Sequence, residues 1–272
     1  MLSDIFEAEK IEYYAPIELS RANVIKPYLL SRCSIDKQKG SALIICVPYF
    51  STMPENISAY ACSRDYHLYF EGLFDRILPR LRELYPGYSF FGFADHSPIS
   101  EVGAAALAGL GVIGDNHMLI TEKYSSFVFL GEVISDMPAE NYGIDIYRGE
   151  ALLCEHCGAC LRTCPAGLDI SECLSSLTQK KGELSAEEQK RLEAHGIAWG
   201  CDKCQSVCPH TKRAVSRESI FTPIDYFYNS RIEKIDLEEL YSMSEEEFFS
   251  RAFSWRGRET IARNLKILGG GV

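Results

Sequence analysis

Cysteine spacing constrains this chain more than any other feature. Cys154, Cys157, Cys160 and Cys164 form a C-x2-C-x2-C-x3-C-P run closed by Pro165, Cys173 follows alone, and Cys201, Cys204 and Cys208 form C-x2-C-x3-C-P closed by Pro209. Seven of the eleven cysteines therefore sit in two related motifs, and Cys173 between them brings the set to eight.

A cubane iron–sulfur cluster needs four thiolates converging from different directions. Two-residue gaps wrap the backbone around one face of the cluster, while the fourth thiolate arrives from far along the chain. In two-cluster ferredoxins the Cys preceding the Pro ligates the other cluster. Applied here, Cys154, Cys157 and Cys160 take Cys208, and Cys164 joins Cys173, Cys201 and Cys204, which gives two complete [4Fe-4S] quartets. A structural zinc site is the bland alternative, but it would use four ligands and leave the remaining motif cysteines idle. A disulfide framework is the other. Two clusters account for every motif cysteine and predict a protein that moves electrons.

Composition agrees. With 272 residues and 46% hydrophobic content the chain can bury one large core or two smaller ones. No apolar run approaches the ~20 residues of a membrane span, and Asp4, Glu7 and Glu9 occupy the place where a signal peptide would carry basic and then apolar residues. The expected location is the cytoplasm, with no membrane partner; Cys33, Cys46 and Cys62 suit its reducing interior as ordinary buried or half-buried thiols. A net charge of −10 argues against a broad nucleic-acid surface.

Three stretches emerge along the chain: residues 1–144, 145–214 and 215–272. The first alternates strand-like and helix-like segments. Strands are expected at Ser41–Val47, Tyr88–Ala94 and Phe127–Ile134, and a helix at Glu101–Leu110. Asp65–Tyr85 places Tyr66, Phe70, Leu73, Phe74, Ile77, Leu81 and Leu84 on one helical face, with Pro79 predicting a kink or break. The second is the cysteine-rich module, with a capping-box helix start at Ser185–Glu188. The third carries another helix start at Ser244–Glu247, an amphipathic segment over Glu259–Leu268 and a Gly269–Gly271 tail expected to fray. A bare two-cluster module needs far fewer residues than this, so the first stretch implies a second cofactor or substrate.

The order Arg64-Asp-Tyr-His67, Asp95-x-x-Pro-Ile-x-Glu101, Ala108-Gly-Leu-Gly-x-Ile-Gly114, Phe129-Leu-Gly-Glu132, then the two cysteine motifs, resembles the epoxyqueuosine reductase family. The resemblance runs from about Ser41 to Lys212 and more weakly to Leu268. It implies an α+β chain: a nitroreductase-like α/β cobalamin-binding domain (1–144), a ferredoxin-like double-cluster module (145–214) and a helical extension (215–272). It further implies an oxidoreductase that converts epoxyqueuosine to queuosine in tRNA, fed by a low-potential donor such as flavodoxin or ferredoxin, its electrons reaching the epoxide through cobalt. Asp95 matches the family's proton donor, and burial against a corrinoid and aromatic rings would keep such a carboxyl protonated near neutrality. On the residues alone, an Asp capping the loop after the Tyr88–Ala94 strand is the alternative. Glu101 is expected to cap or position the following helix.

The same resemblance implies corrinoid contacts from Arg64, Asp65, Tyr66, His67, Asp95, Gly111, Gly114, Leu119, Leu130, Ser175, Asp202 and Lys203. Read without it, Asp65 is a helix N-cap, Tyr66 a core residue, and Arg64 and His67 solvated. Gly109–Gly114 contains G-x-G-x-x-G, but it follows a helix and precedes a strand, the reverse of a dinucleotide-binding loop. There are departures. The helical-repeat domain usual in full-length members is expected to be missing, making this a short form; Asp115-Asn116 stand where basic or polar residues are common; and the Cys164–Cys173 interval is short. A basic remnant of Lys212, Arg213, Arg251, Arg256, Arg258, Arg263 and Lys266 is the candidate tRNA contact. A corrinoid iron–sulfur reductase of another substrate or corrinoid protein, and a non-catalytic electron carrier, stay open as alternatives.

Overall fold

A computed structural model describes residues 1–144 and 154–269. The 144/145 division and the Gly270-Gly271 end of the glycine tail lie outside them. The described chain forms two compact units, the first from Met1–Pro48 and Tyr69–Cys157, the second from Tyr49–Leu68 and Gly158–Val272. Tyr49–Leu68 thus belongs with the later residues, a crossing that no linear reading of the sequence anticipates. No helix among the described residues is long and apolar enough to cross a membrane.

The first unit is built on strands β1 (Tyr13–Glu18), β2 (Ser41–Pro48) and β3 (Phe90–Phe93), a short hairpin of β4 (Val112–Ile113) and β5 (Leu119–Ile120), and β6 (Val128–Ser135). The main sheet has the order β1-β2-β6-β3 with every pair antiparallel. The three expected strands form with shifted ends, whereas β1 and the β4–β5 hairpin were not anticipated. Every residue of β2 is buried, as its unbroken apolar run requires. Four helices accompany the sheet: α1 (Leu2–Ala8), α2 (Pro27–Arg32), α3 (Tyr66–Leu84) and α4 (Glu101–Leu107).

Side chains alternate along β6, so Leu130, Glu132 and Ile134 share a face. Leu130 and Ile134 pack in one cluster with Ala104 and Ala105 of α4 and Ile44 of β2. On the opposite face Gly131 lies under α3, where an added Cβ would run into the Phe70 ring. Phe70, Leu73, Ile77 and Leu81 of α3 are buried, but Tyr66 is only half-buried and Leu84 is 38% exposed. Pro79 neither breaks nor ends α3. It lies on the exposed face, where the carbonyl freed by its missing N–H can turn to water.

The second unit is helical: α5 (Ala159–Thr163), α6 (Leu174–Thr178), α7 (Ala186–His195), α8 (Lys203–Ser206), α9 (Pro209–Ser216), α10 (Asp225–Tyr228), α11 (Leu237–Ser242), α12 (Glu245–Phe249) and α13 (Arg258–Leu268). The capping box at Ser185 and Glu188 forms as expected, and Ser244 accepts from the Glu247 N–H at 3.1 Å. Trp199, fully buried, anchors a core that joins Ile57, Ala61 and Cys62 to Phe248, Phe253 and Ile261; its indole N–H donates to Tyr60 Oη at 2.8 Å. Residues beyond 215 are therefore core material of this unit. Buried Asn264 reinforces the point, its amide donating to Thr178 O and Ala198 O at 2.7 and 2.8 Å.

Candidate functional site

In the first unit the candidate centre is the loop between β3 and α4. Asp95 lies at φ +63, and the N–H of His96 reaches back to Ala94 O at 2.7 Å. This is a γ-turn of the rare positive-φ kind, with a cost of about 1–3 kcal/mol that only surrounding contacts can hold. Those contacts are present. The Asp95 N–H donates to Glu101 Oε1 at 2.9 Å, the Ser97 hydroxyl donates to Glu132, and Pro98 O accepts from Ile25 and Lys26 N–H at 2.9 and 3.1 Å. Asp95 itself is exposed at the apex.

Below the loop, two acids meet. Glu101 opens α4 and Glu132 occupies the α4-facing side of β6, opposite Ile44 on β2 and Phe93 on β3. Glu132 is completely buried, and burial drives its carboxyl well above the usual range, with the neighbouring Glu101 charge adding to the effect. Burial likewise raises Glu101, to about 7, against the opposing hydrogen bond from Asp95 N–H. Lys26 opposes both shifts weakly. Its ammonium meets His96 Nδ1 at 3.3 Å, and Tyr28 Oη lies 3.0 Å from His96 Nε2. Glu101 was expected only as a positioning residue for the helix; the structure makes it the acceptor that holds Asp95. Glu132 was quoted only as the end of the Phe129-Leu-Gly-Glu132 motif and given no role, although an acid in the middle of the apolar run FVFLGEVI was the available signal.

Gly111 and Gly114 flank β4. A Cβ at Gly111 would collide with Ile120 O, and one at Gly114 would come within 2.6 Å of Asn116 Oδ1. Their hairpin alone explains the absence of side chains. Leu119 is buried in the sheet core and Leu130 packs against it. Asp115 pairs with His156 at 2.8 Å, and Cys154 Sγ belongs to the same exposed group.

In the second unit, Asp65 caps α3, its carboxylate accepting from His67 N–H at 2.9 Å and lying 2.8 Å from His67 Nδ1. The Tyr66 and His67 rings stack at 4.1 Å. Arg64 is exposed and Tyr66 half-buried, so Tyr66 is not the core residue that the helix pattern suggested. Ser175 accepts from Gln179 at 3.1 Å. Asp202 accepts from Ala59 N–H at 2.6 Å and from Gln205 at 3.1 Å; burial lifts its carboxyl to about 6 in spite of both bonds. Lys203 begins α8.

Three further cysteines of this unit lie close enough to Cys204 to act on its thiol. Burial pushes the Cys204 thiol up to about 12, helped by the charges of Cys201, Cys164 and Cys173. These are the four residues of the second expected quartet. Thiols that disfavour the ionisation of Cys204 fit a polynuclear cation site, because metal ions reverse the sign of that interaction. Cys160 lies in α5 and Cys208 caps α9 ahead of Pro209; Cys154 and Cys157 end the first unit.

The basic remnant is mostly spent on structure. Buried Arg251 bonds Ser230 O and Glu247, Arg258 reaches Leu240 O, Met243 O and Glu245, and Arg263 holds Lys180 O and Gly182 O. Lys212, Arg213 and Lys266 are exposed, and Arg256 stacks on exposed Trp255 at 3.6 Å.

No family model matches the chain. Among curated relatives it is 33% identical over 227 residues to the epoxyqueuosine reductase of Pseudomonas aeruginosa, a match covering 78% of this chain and 59% of that protein. The enzymes of Listeria monocytogenes and Escherichia coli match at 32% and 31%, over 75% and 71% of this chain and 54% and 50% of theirs. The chain thus spans little more than half the length of these relatives. Among solved structures, the epoxyqueuosine reductase from Streptococcus thermophilus superposes with a TM-score of 0.76 at 21% identity, covering 98% of this chain and 79% of that one. The Bacillus subtilis enzyme, with its catalytic aspartate loop swung out of the active site, gives 0.73 at 22%, over 98% and 80%. An epoxyqueuosine reductase holding an epoxyqueuosine-modified tRNA stem loop gives 0.71 at 21%, over 98% and 79%. The motifs, the fold and the identities agree, and the chain belongs to the epoxyqueuosine reductase family.

Proposed function

We propose that this chain is a cobalamin-dependent iron–sulfur oxidoreductase that converts epoxyqueuosine to queuosine in tRNA. The observation that carries the reading is the gathering of Cys164, Cys173, Cys201 and Cys204, in a family member that also keeps an aspartate on a strained, anchored loop. Residues 1–144 are the nitroreductase-like corrinoid-binding part, 145–214 the ferredoxin-like part with two [4Fe-4S] clusters, and 215–272 the helical extension. Cys154, Cys157, Cys160 and Cys208 hold the other cluster.

Opening the epoxide and losing its oxygen as water takes two electrons and two protons. Bound cobalamin and clusters would supply the electrons; the chain supplies position and protons. Asp95 is the proton donor to the departing oxygen, presented at the loop apex by its backbone bond to Glu101. The Bacillus subtilis relative's mobile aspartate loop supports this role, as does the tRNA-bound neighbour for the substrate. Arg64, Asp65, Tyr66, His67, Gly111, Gly114, Leu119, Leu130, Ser175, Asp202 and Lys203 are the proposed corrinoid contacts. Exposed Lys212, Arg213 and Lys266, with half-buried Arg256, are what remains for tRNA, and a flavodoxin- or ferredoxin-type donor supplies the electrons.

The test is an anaerobic titration of the cluster-reconstituted chain with cob(II)alamin, read by paramagnetic resonance for a base-off signal, followed by turnover of epoxyqueuosine-containing tRNA. Base-off binding with turnover establishes the reading. Binding without turnover favours the corrinoid reductase of another substrate, and no binding leaves an electron carrier.

A further inference from the structure

Glu132 Oε2 is buried and receives no hydrogen bond from a hydroxyl, amide or amine. Its carboxyl does lie within hydrogen-bonding reach of the Glu101 carboxyl. Two carboxylates are both acceptors and repel; they satisfy each other only when one carries a proton. Each acid also grips the β3–α4 loop, Glu101 through the Asp95 N–H and Glu132 through the Ser97 hydroxyl. Ser97 Oγ in turn accepts the Ile99 N–H at 3.0 Å.

We infer that Glu101 and Glu132 share a single proton, and that this shared proton positions Asp95 by keeping both ends of its strained turn tied to one carboxyl pair. With the proton present, the pair is neutralised to one charge and both loop bonds hold. With it lost, two negative charges face each other beneath the loop, and the weaker, half-exposed anchor at Glu101 moves away. The groups facing the pair are few: Asp95 and Ser97 from the loop, Lys26 from the segment before α2, with His96 and Tyr28 beyond the Lys26 ammonium. The faces offered by β2 and β3 at this register are Ile44 and Phe93, which carry no charge. Among the described residues named above, Lys26 is the cation that offsets the second charge, and its ammonium is already engaged with His96. Raised acids in contact are the usual means by which a site stores a proton near neutrality. The proton pair stands on the orphaned, buried Glu132 Oε2 and on the loop bonds that each acid makes; its bearing on catalysis rests on the Asp95 role proposed above.

The experiment uses the full chain labelled with carboxyl-13C glutamate. Infrared spectra report protonated glutamic acid, and amide hydrogen exchange reports protection of residues 94–99, both followed from about pH 6 to about pH 9. The expected result is a protonated-carboxyl band at neutral pH that disappears on titration, together with a loss of loop protection of roughly tenfold or more over the same interval. Glu101→Gln and Glu132→Gln each supply the missing donor as an amide. Both should abolish the band and keep the loop protected at every pH, whereas Glu132→Ala should leave it unprotected throughout. Asp95→Asn should change neither band nor protection, so loss of turnover in that variant judges the catalytic proposal separately. The inference is overturned if the wild-type chain has no such band at neutral pH, if its protection ignores pH, or if Glu101→Gln follows the wild-type pH course.

Discussion

The first unit sets a half-buried acid against a fully buried one and the second brings thiols together, and their neighbours treat them differently. Glu101 and Glu132 sit against Ser97, the Asp95 N–H and each other, so one proton completes their bonding. Cys204 lies among Cys164, Cys173 and Cys201, each of which makes its ionisation harder. The same like-charge physics therefore has two outcomes. On the two proposals above, a pair of carboxyls is completed by a proton taken from water, while a quartet of thiolates is completed by a cation that has to be delivered. The first site would then be finished by folding, the second by loading.

The sharpest way to break this contrast is to remove a thiol. Cys204→Ala should reduce the iron bound per chain by about half and abolish turnover, measured by iron analysis and the tRNA assay. Unchanged iron content would show that the quartet is not a cluster site. Asp95→Asn is the counterpart in the first unit. It should lower turnover by roughly 10²–10⁴-fold while leaving iron and cobalamin content unchanged, since its backbone N–H still reaches Glu101.

A next test concerns pH. An acid whose pKa is higher in the folded chain binds more protons there than when unfolded, so stability falls as pH rises between the two values. For Glu101 that window runs from 4.5 to about 7. The unfolding free energy of the metal-free chain, read from urea titrations, should drop across it by roughly 2 kcal/mol and the midpoint with it, and Glu132→Gln should flatten the decline. A rising midpoint would mean the acids are fully ionised in the folded state. In the second unit Asn264→Leu orphans Thr178 O and Ala198 O, with an expected cost of about 1–3 kcal/mol.

How much of this was legible differs between the units in the same way. The cysteine motifs could be read directly, because residue type and spacing are both visible in sequence, and Cys164, Cys173 and Cys201 do lie near Cys204. The buried strand Ser41–Val47 and the Ser185 capping box were legible for local reasons, an unbroken apolar run and a four-residue hydrogen-bond motif. Pro79 could not by itself distinguish a break from a helix that runs on, because its penalty depends on which way the freed carbonyl faces, and that is decided by packing. The acid pair was hidden because it joins β6 to the start of α4 across 31 residues, and only the sheet register turns Glu132 toward Glu101. The strain at Asp95 was hidden too, since φ depends on the anchors at Ile25, Lys26 and Glu101. The arginines of the last stretch looked like an RNA surface because charge is visible in sequence, whereas carbonyl partners such as Leu240 O and Lys180 O are not.

The smallest effect tests whether the second unit depends on its cluster for stability as well as for chemistry. Ser185 caps α7 by accepting the Glu188 N–H at 3.3 Å, while Glu188 returns to the Ser185 N–H at 2.8 Å and pairs with Lys180 at 2.7 Å. Ser185→Ala removes the hydroxyl acceptor and should cost about 1 kcal/mol. Leu192 of α7 packs with Leu174 and Leu177 of α6, the helix that Cys173 caps. If the cluster merely occupies a unit that already folds, the cost will be the same in metal-free and cluster-loaded protein. If the cluster holds α6 and α7 in register, loading will mask it, and the loaded variant will unfold at the wild-type denaturant concentration. Equal costs would narrow the contrast between the units to chemistry; a masked cost would extend it to folding.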